Sequence, residues 1–484
     1  MSLLPLMLLL SPAVPAADLA WQEPPEEEIV EEVVEEVQEP AEDEPETEES
    51  ESETVDEVIE EDDGIDPDSP YLAIIGGDVH TVSDGLIRKG TVLTKDGRIL
   101  KVGRRVSIPE GARRIDASGM QVYPGLVAVR SSGIVSGRGT GIADDFDPFA
   151  LNVDLGLAGG LTTVESGNGI AKLTRGTLEG ALLGETGWVS LNYSSTAPSG
   201  RRQVRAELGK VRDYLRERRA WELGKELGED VGKEPEAKGL KDGYLDLLEG
   251  KAVARFNANG LKDLLAVCDL LEEYPMQAVV FGGQEAWACA GRLGRVGVRL
   301  VITPRAKAWA DDSVNRPSGW TIENARTLWE HGVTFAIIPS ETFISTSGLA
   351  GRDLLNLPME AAFAIRGGLP QDAALKSLTI DAARILGVDD RLGSIEVGKD
   401  ADLIICDGDL FHYRTFVQWA VVNGRVAYDK QEAPYFAHIR PREPASMDEL
   451  MEEIGRLAEE VDEELEELEA MEETEDAIDA PVGG

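Results

Sequence analysis

Histidine and cysteine are scarce in this chain of 484 residues. The histidines are His80, His331, His412 and His438. They form no His-x-His or His-Glu-x-x-His pair, which excludes the common histidine-rich metal sites. The cysteines are Cys268, Cys289 and Cys406. They are odd in number and widely separated, so they provide neither a disulfide framework nor the spacing of metal ligands. We therefore expect no metal and no other cofactor.

Basic residues are almost absent from both ends of the chain. Residues 1–68 contain 26 acidic residues and no Lys or Arg, and residues 443–484 contain 18 acidic residues and one Arg. The residues between them contain 47 acidic and 46 basic side chains, so the overall charge of -44 belongs to the two ends. A nearly neutral middle without a basic stripe argues against nucleic-acid binding.

A long apolar run is also missing. The run from Leu3 to Leu10 is too short to span a bilayer, so we expect a protein that does not span a membrane. Small residues at Val14 and Ala16 suit cleavage after Ala16, which predicts a signal peptide over residues 1–16 and export to the periplasm or medium. No Lys or Arg precedes the run. The alternative is therefore a cytoplasmic protein whose start is an apolar remnant or a misassigned initiation site.

The two acidic segments differ in pattern. Residues 17–69 are rich in Glu, Pro, Ser and Thr and have few aromatics, which predicts disorder. In residues 443–484, apolar residues recur at spacings of three and four, which predicts an amphipathic helix. They are Leu450, Ile454, Leu457, Val461, Leu465 and Leu468. Glutamates at i,i+4 oppose that helix, so we expect it to need a packing partner. The alternative is a solvated acidic helix with no partner.

The middle of the chain alternates short apolar runs with helical patterns. Residues 71–116 carry strand and turn signals, and later runs such as residues 277–281 and 333–338 alternate with helical stretches such as residues 261–273. This alternation indicates parallel α/β units. Residues 395–427 return to short strands. Residues 201–241 are highly charged and helical in character, which we interpret as a surface insertion.

Two stretches resemble the amidohydrolase superfamily, particularly its imidazolonepropionase-like branch. The first runs from Gly90-Thr91-Val92 to Pro124-Gly125-Leu126, and the second is Leu-Gly-Ser-Ile-Glu-Val-Gly-Lys-Asp-Ala-Asp-Leu-Ile over residues 392–404. The resemblance implies an α/β fold, a (β/α)₈ TIM barrel over residues 123–391. It also implies a small β-sandwich built from residues 70–122 and 392–435. The active site of such a barrel lies at the carboxyl ends of its strands.

The metal ligands that the resemblance implies are replaced in this chain. The two histidine positions of the first barrel strand hold Arg130 and Ser132. The later ligand positions fall near Asn257, Gly282 and Ser340, none of which is a usual metal ligand. Arg130 would repel a cation placed there. We expect these residues to line a polar pocket at the barrel mouth.

Glu165 ends a predicted barrel strand and is a further candidate site residue. Arg130 needs a counter-charge, since an isolated buried charge is costly. An ion pair between Arg130 and Glu165 is the favoured interpretation. The alternative is a bound anion that pairs with Arg130.

The motifs are compatible with two functions. The favoured one is a non-catalytic relative that has lost the metal site and acts by binding or as a scaffold; no catalytic residue is then expected. The alternative is a hydrolase acting on non-peptide C–N bonds, supported by fold analogy alone. Candidate partners are a small-molecule or anionic ligand in the barrel mouth and a second copy of the chain.

We predict that the core folds without its acidic ends, because the charge excess lies outside residues 69–442. A protein of that span should melt cooperatively at a temperature close to that of the full chain, as measured by circular dichroism. An insoluble or molten product would show that the ends are part of the fold.

Overall fold

The computed structural model describes residues 69–135, 142–345 and 351–433, without the side chains of residues 143 and 144. The expected signal peptide (1–16), the acidic segment up to residue 68 and the acidic tail (443–484) lie outside the described residues.

The strands are numbered here in chain order. They are β1 (Tyr71–His80), β2 (Leu86–Lys95), β3 (Arg98–Gly103), β4 (Arg113–Asp116), β5 (Gln121–Pro124), β6 (Leu126–Ala128), β7 (Leu161–Ser166), β8 (Gly169–Lys172), β9 (Leu182–Glu185), β10 (Trp188–Ser190), β11 (Val253–Ala258), β12 (Ala278–Gly282), β13 (Arg299–Ile302), β14 (Phe335–Ile337), β15 (Leu403–Cys406), β16 (Val417–Val422) and β17 (Arg425–Asp429).

The helices are numbered in the same way. They are α1 (Ile142–Asp145), α2 (Leu151–Ala158), α3 (Pro198–Glu226), α4 (Tyr244–Glu249), α5 (Leu261–Glu273), α6 (Ala290–Val296), α7 (Asn324–Glu330), α8 (Leu357–Arg366), α9 (Gln371–Leu378) and α10 (Ile380–Leu386).

Strands from both ends of the described chain form one eight-stranded sheet. Its order is β17-β16-β15-β5-β1-β2-β3, and β4 pairs with β1 beside that path. The two ends meet where β15 pairs antiparallel with β5, with Leu403 opposite Pro124 and Ile405 opposite Val122. The sheet unit expected from both ends of the domain is present. Its strands are hydrogen-bonded as one continuous sheet.

The remaining strands carry the parallel α/β part of the fold. β10-β11-β12-β13-β14 form a parallel sheet, and β6 pairs parallel with β7 in a second sheet that the antiparallel strands β8 and β9 complete. The apolar runs expected to be strands at residues 277–281 and 333–338 form β12 and β14. Within the described residues, the recorded strand pairing does not close these two sheets into a ring.

Side chains along the parallel strands alternate between the two faces, and both faces are buried by apolar residues. On β12, Val279 and Phe281 pack in one apolar cluster, whereas Ala278 and Val280 pack in another. Successive side chains of a strand point to opposite faces, so one set faces the other strands and one faces the helices. The chain enters this part at Gly125, where a Cβ would lie 2.1 Å from Thr162 Oγ1. Only glycine therefore fits at the middle position of the Pro-Gly-Leu sequence.

A buried ion network joins the four-stranded and eight-stranded sheets. Lys172, at the end of β8, is fully buried, and its Nζ lies 2.8 Å from Asp400 Oδ2, 2.9 Å from Asp402 Oδ2 and 2.6 Å from Asn423 Oδ1. Arg391 also donates to Asp400, at 2.6 Å. Burial raises the pKa of Asp402. Burial acts in the same direction on Asp400, but the bonds from Lys172 and Arg391 outweigh it and lower the pKa of Asp400.

The charged insertion is helical over only part of its expected length. The helical character expected for residues 201–241 is found in α3, which ends at Glu226, and residues 227–243 are turns and loop. Gly228 has φ +75°, a left-handed conformation that ends a helix. Among the described residues, we find no helix with the length and apolar character needed to cross a bilayer.

We predict that Lys172→Met destabilises the protein by about 3–5 kcal/mol, because it leaves two buried carboxylates without their shared cation. Urea unfolding of the full chain, followed by circular dichroism, measures the change in the free energy of unfolding. The control is Lys101→Met, at an exposed position on β3, which should stay within about 0.5 kcal/mol of the parent. Equal effects of the two substitutions would contradict this role for Lys172.

Candidate functional site

Three charged side chains on or just after the parallel strands act on one another electrostatically, and two of them, Glu165 and Arg130, lie at the carboxyl ends of their strands. Glu165 lies near the end of β7, Arg255 lies on β11, and Arg130 follows β6. The charges of Arg130 and Arg255 both act on the Glu165 carboxyl, and those of Arg130 and Glu165 both act on Arg255. In open and barrel α/β folds, the carboxyl ends of the strands are where ligands bind.

Glu165 is a buried carboxylate held by main-chain groups. Its side chain is 4% exposed, and the Asn168 amide donates a 2.7 Å hydrogen bond to Oε1. The Glu165 carbonyl accepts hydrogen bonds from the Ser131 amide (2.7 Å) and hydroxyl (2.8 Å), which ties β7 to the segment after β6. Burial raises the pKa of Glu165 and outweighs the opposing effects of the Asn168 amide and the two arginines.

Arg255 is a half-buried arginine that packs on aromatic rings. Its guanidinium lies 4.5 Å from the ring centre of Phe281 and 5.4 Å from that of Trp188. Burial lowers its pKa, as does the charge of Arg130, while Glu165 acts in the opposite direction. Within the described part of the chain, the buried Arg255 Nε has no hydrogen-bond partner, and neither does the Trp188 indole N–H. Two buried donors therefore lack an acceptor.

The expected ion pair between Arg130 and Glu165 is not formed. Arg130 is exposed, and neither it nor Arg255 makes an ion pair with any acidic side chain that the structure describes. The physical reason is that the Glu165 carboxylate is already engaged by the Asn168 amide and lies below the surface, while Arg130 stays in solvent. The interpretation favoured from the sequence is therefore wrong, and a positive charge remains without a protein partner.

The other predicted positions lie at the same ends of the strands with fewer contacts. Ser132 is exposed, and its amide donates to the Thr342 carbonyl at 2.8 Å. Asn257 is exposed on β11, and Ser340 is exposed after β14. In the part of the chain that is described, no hydrogen bond or ion pair joins Asn257 or Ser340 to the charged group around Glu165.

Gly282 has a structural reason for being glycine. It has φ +115°, and a Cβ there would lie 2.1 Å from Asn259 Oδ1. Its backbone conformation and the crowding around it account for the residue without any ligand.

Sequence reasoning missed Arg255 although the signal was present. Arg255 lies two residues before Asn257, and residues i and i+2 of a strand share a face. A charged residue inside a buried strand was therefore predictable as part of the same site as Asn257. Asn257 matches the position of a metal ligand in the family resemblance, and Arg255 matches none.

The donor set does not fit the metal ion that the family resemblance implies. No group of three or more His, Cys, Asp or Glu side chains among the described residues is placed to hold a metal ion. The positions that should carry ligands hold Arg, Ser, Asn and Gly side chains, and two arginines flank the single carboxylate of Glu165. A cation in this position would be repelled by both arginines.

A cavity of about 610 Å³ lies elsewhere, between the β1–β2 hairpin and α9. Its lining includes His80 stacked on Tyr123, with ring centres 4.3 Å apart. It shares no residue with the charged group at the strand ends, so its size does not bear on that site.

Comparisons with known proteins find similarity to amidohydrolases. Residues 293–436 match the Amidohydrolase family. The chain is 25% identical over 382 residues to an imidazolonepropionase of Mesorhizobium japonicum, an alignment that covers 67% of this chain and 87% of that protein. It is 26% identical over 375 residues to an imidazolonepropionase of Shewanella baltica, covering 67% of this chain and 88% of that protein.

The fold has a counterpart among solved structures. A crystal structure of an amidohydrolase from Thermotoga maritima matches with a TM-score of 0.56 at 23% identity, covering 74% of this chain and 100% of that chain. This likeness shows a fold of the TIM-barrel type with an attached sheet domain, and at this identity it shows the fold alone.

Proposed function

We propose that this chain, a member of the amidohydrolase superfamily in its imidazolonepropionase-like branch, is a non-catalytic protein that binds a small anion near the ends of its parallel strands. One observation carries the proposal. Arg255 is half-buried on two aromatic rings, its Nε lacks an acceptor, and no acidic side chain of the described residues pairs with it. An unpaired buried charge is costly, and a bound anion would remove that cost.

Arginine suits the anions that this site would take. Its planar guanidinium presents parallel N–H donors that match carboxylate and phosphate groups. In our proposal, Arg255 binds the anion from the strand side and Arg130 from the solvent side, while the Trp188 indole N–H offers a third donor. Ser132, Asn257 and Ser340 line the rim.

The proposal also concerns the fold, for which we expect a closed barrel. We propose that the parallel strands β6, β7 and β10–β14 belong to one (β/α)₈ barrel whose mouth holds Arg130, Glu165 and Arg255. The proposal is supported by the shared edge at which parallel strands end, and by the electrostatic contact between side chains of both sheets.

A second candidate function is supported by Glu165. Burial raises the pKa of this carboxyl, and a carboxyl with a raised pKa at the strand ends can act as a general acid or base. The corresponding reaction is hydrolysis of a non-peptide C–N bond. Only fold analogy points to that substrate class, so we rank this function second.

We predict that Arg255→Met weakens binding of benzoate or phosphate by roughly tenfold or more, since hydrogen bonds to charged groups contribute about 1.5–3 kcal/mol. Met keeps apolar contact with Trp188 and Phe281, so stability should hold or rise. Arg130→Met should act in the same direction. Isothermal titration calorimetry on the full chain measures binding. The control Arg105→Met, at an exposed position outside the site, should leave binding unchanged.

The dependence on pH separates the two functions. Because the pKa of Glu165 is raised, lowering the pH through that pKa removes a negative charge beside the site, so anion affinity should rise. Glu165→Gln should abolish this pH dependence while binding persists.

An anion affinity that is equal in the parent and in Arg255→Met would contradict the binding proposal. Amide hydrolysis that is lost in Glu165→Gln would favour the second function.

A further inference from the structure

A line of arginines runs along one face of α3. Arg202, Arg205, Arg212, Arg216 and Arg219 occupy positions that follow the three-four repeat of a helix, with Gly209 filling the remaining position. Residues at this spacing share one face. Val204, Leu208 and Val211 are buried, so they hold the helix against the domain and leave the arginines along its flank. The row of arginines follows from the continuous helix of α3 and is not a run of basic residues in the sequence.

The arginine face is only partly neutralised. Arg205 pairs with Glu273, and Arg216 lies 3.8 Å from Asp213. Arg212 lies over the ring of Tyr274 at 4.9 Å. Arg202 and Arg219 are exposed and make no ion pair within the described residues. The helix as a whole carries nine basic and five acidic residues, in a chain whose net charge is -44.

We propose that the acidic C-terminal segment of the same chain, residues 443–484, binds along the arginine face of α3. Charge complementarity supports this occupant, because the segment contains 18 acidic residues and one Arg. Its apolar repeat at helical spacing distinguishes it from the acidic residues 17–69, which have no such pattern. The glutamates of its amphipathic pattern repel one another at i,i+4, and a row of arginines relieves that repulsion.

The lengths of the two partners are compatible. The arginine face from Arg202 to Arg219 covers about 26 Å at 1.5 Å per residue, and the apolar repeat from Leu450 to Leu468 covers a similar length as a helix. The described chain ends at Ala433, and the residues from there to Asp448 can span up to about 50 Å. The acidic segment is therefore joined to the described chain by a linker of that reach.

The test is a distance measurement in the full-length protein by double electron–electron resonance. Spin labels are placed at Ala206→Cys, exposed on α3, and at Ala470→Cys in the acidic segment. The three native cysteines are buried, and burial raises the pKa of Cys268 to about 11 and that of Cys289 to about 12, so labelling favours the new sites. We expect a narrow distance peak, because a segment packed along α3 holds the two labelled positions at a fixed separation.

Charge reversal and salt should both remove the peak. Arg202→Glu, Arg216→Glu and Arg219→Glu together turn attraction into repulsion. The matched control reverses three exposed arginines elsewhere, Arg104→Glu, Arg105→Glu and Arg114→Glu, and should keep the peak. In the unaltered protein, 1 M NaCl shortens the screening length to about 3 Å and should broaden the peak without any change to the fold.

Four results would overturn the proposal. A broad distribution in the parent at low salt would mean that the segment does not bind α3. A peak that survives the α3 reversal would place the segment on another surface. A peak lost on dilution with unlabelled protein would assign the bound segment to a second copy. Binding of a short DNA duplex to α3 in place of the acidic segment would also refute it.

Discussion

The positive charge of Arg255 is the constraint on which the account of this protein depends. A guanidinium held among Phe281 and Trp188 retains its charge but loses much of its water, so it requires an anion nearby. The one carboxylate in electrostatic contact, Glu165, is itself buried and forms no ion pair with it. Arg130 adds a second positive charge to the same place. The strand ends are therefore suited to an anion and unsuited to a metal cation.

The rest of the fold holds this arrangement in place. Alternation along β12 puts Phe281 on the face opposite Val280, and the parallel register places Ser190 beside Arg255. On the other side, Lys172 fixes β8 to the segment before β15, and β8 pairs with β7, which carries Glu165. The ion network around Lys172 thus helps to hold β7, and with it the buried Glu165 carboxylate, in position. The charged site at the strand ends depends on the fixed position of these strands.

Much of the fold was predictable from the sequence, whereas the charge pairing in the site was not. The apolar runs gave β12 and β14, and the helical pattern at residues 261–273 matches α5. The Pro-Gly-Leu and Gly-Lys-Asp-Ala-Asp motifs indicated the family, and Gly125 is explained by crowding against Thr162. That Arg130 forms no ion pair with Glu165 depends on side-chain depth and on the local bond from the Asn168 amide to Glu165, which no spacing rule encodes. The sequence shows Arg255 as a charged residue within a strand. Its packing on rings from two other strands could be known only from the register of those strands.

The central claim is that the strand ends form an anion site around Arg255. Anomalous scattering from crystals of the protein soaked in sodium bromide tests it most directly, because bromide is a small anion whose position the anomalous signal identifies. We expect a bromide peak in hydrogen-bonding contact with the guanidinium of Arg255, on the side facing Arg130. A map without a peak there, with Arg255 paired to Glu165 or to another carboxylate of the chain, would contradict it.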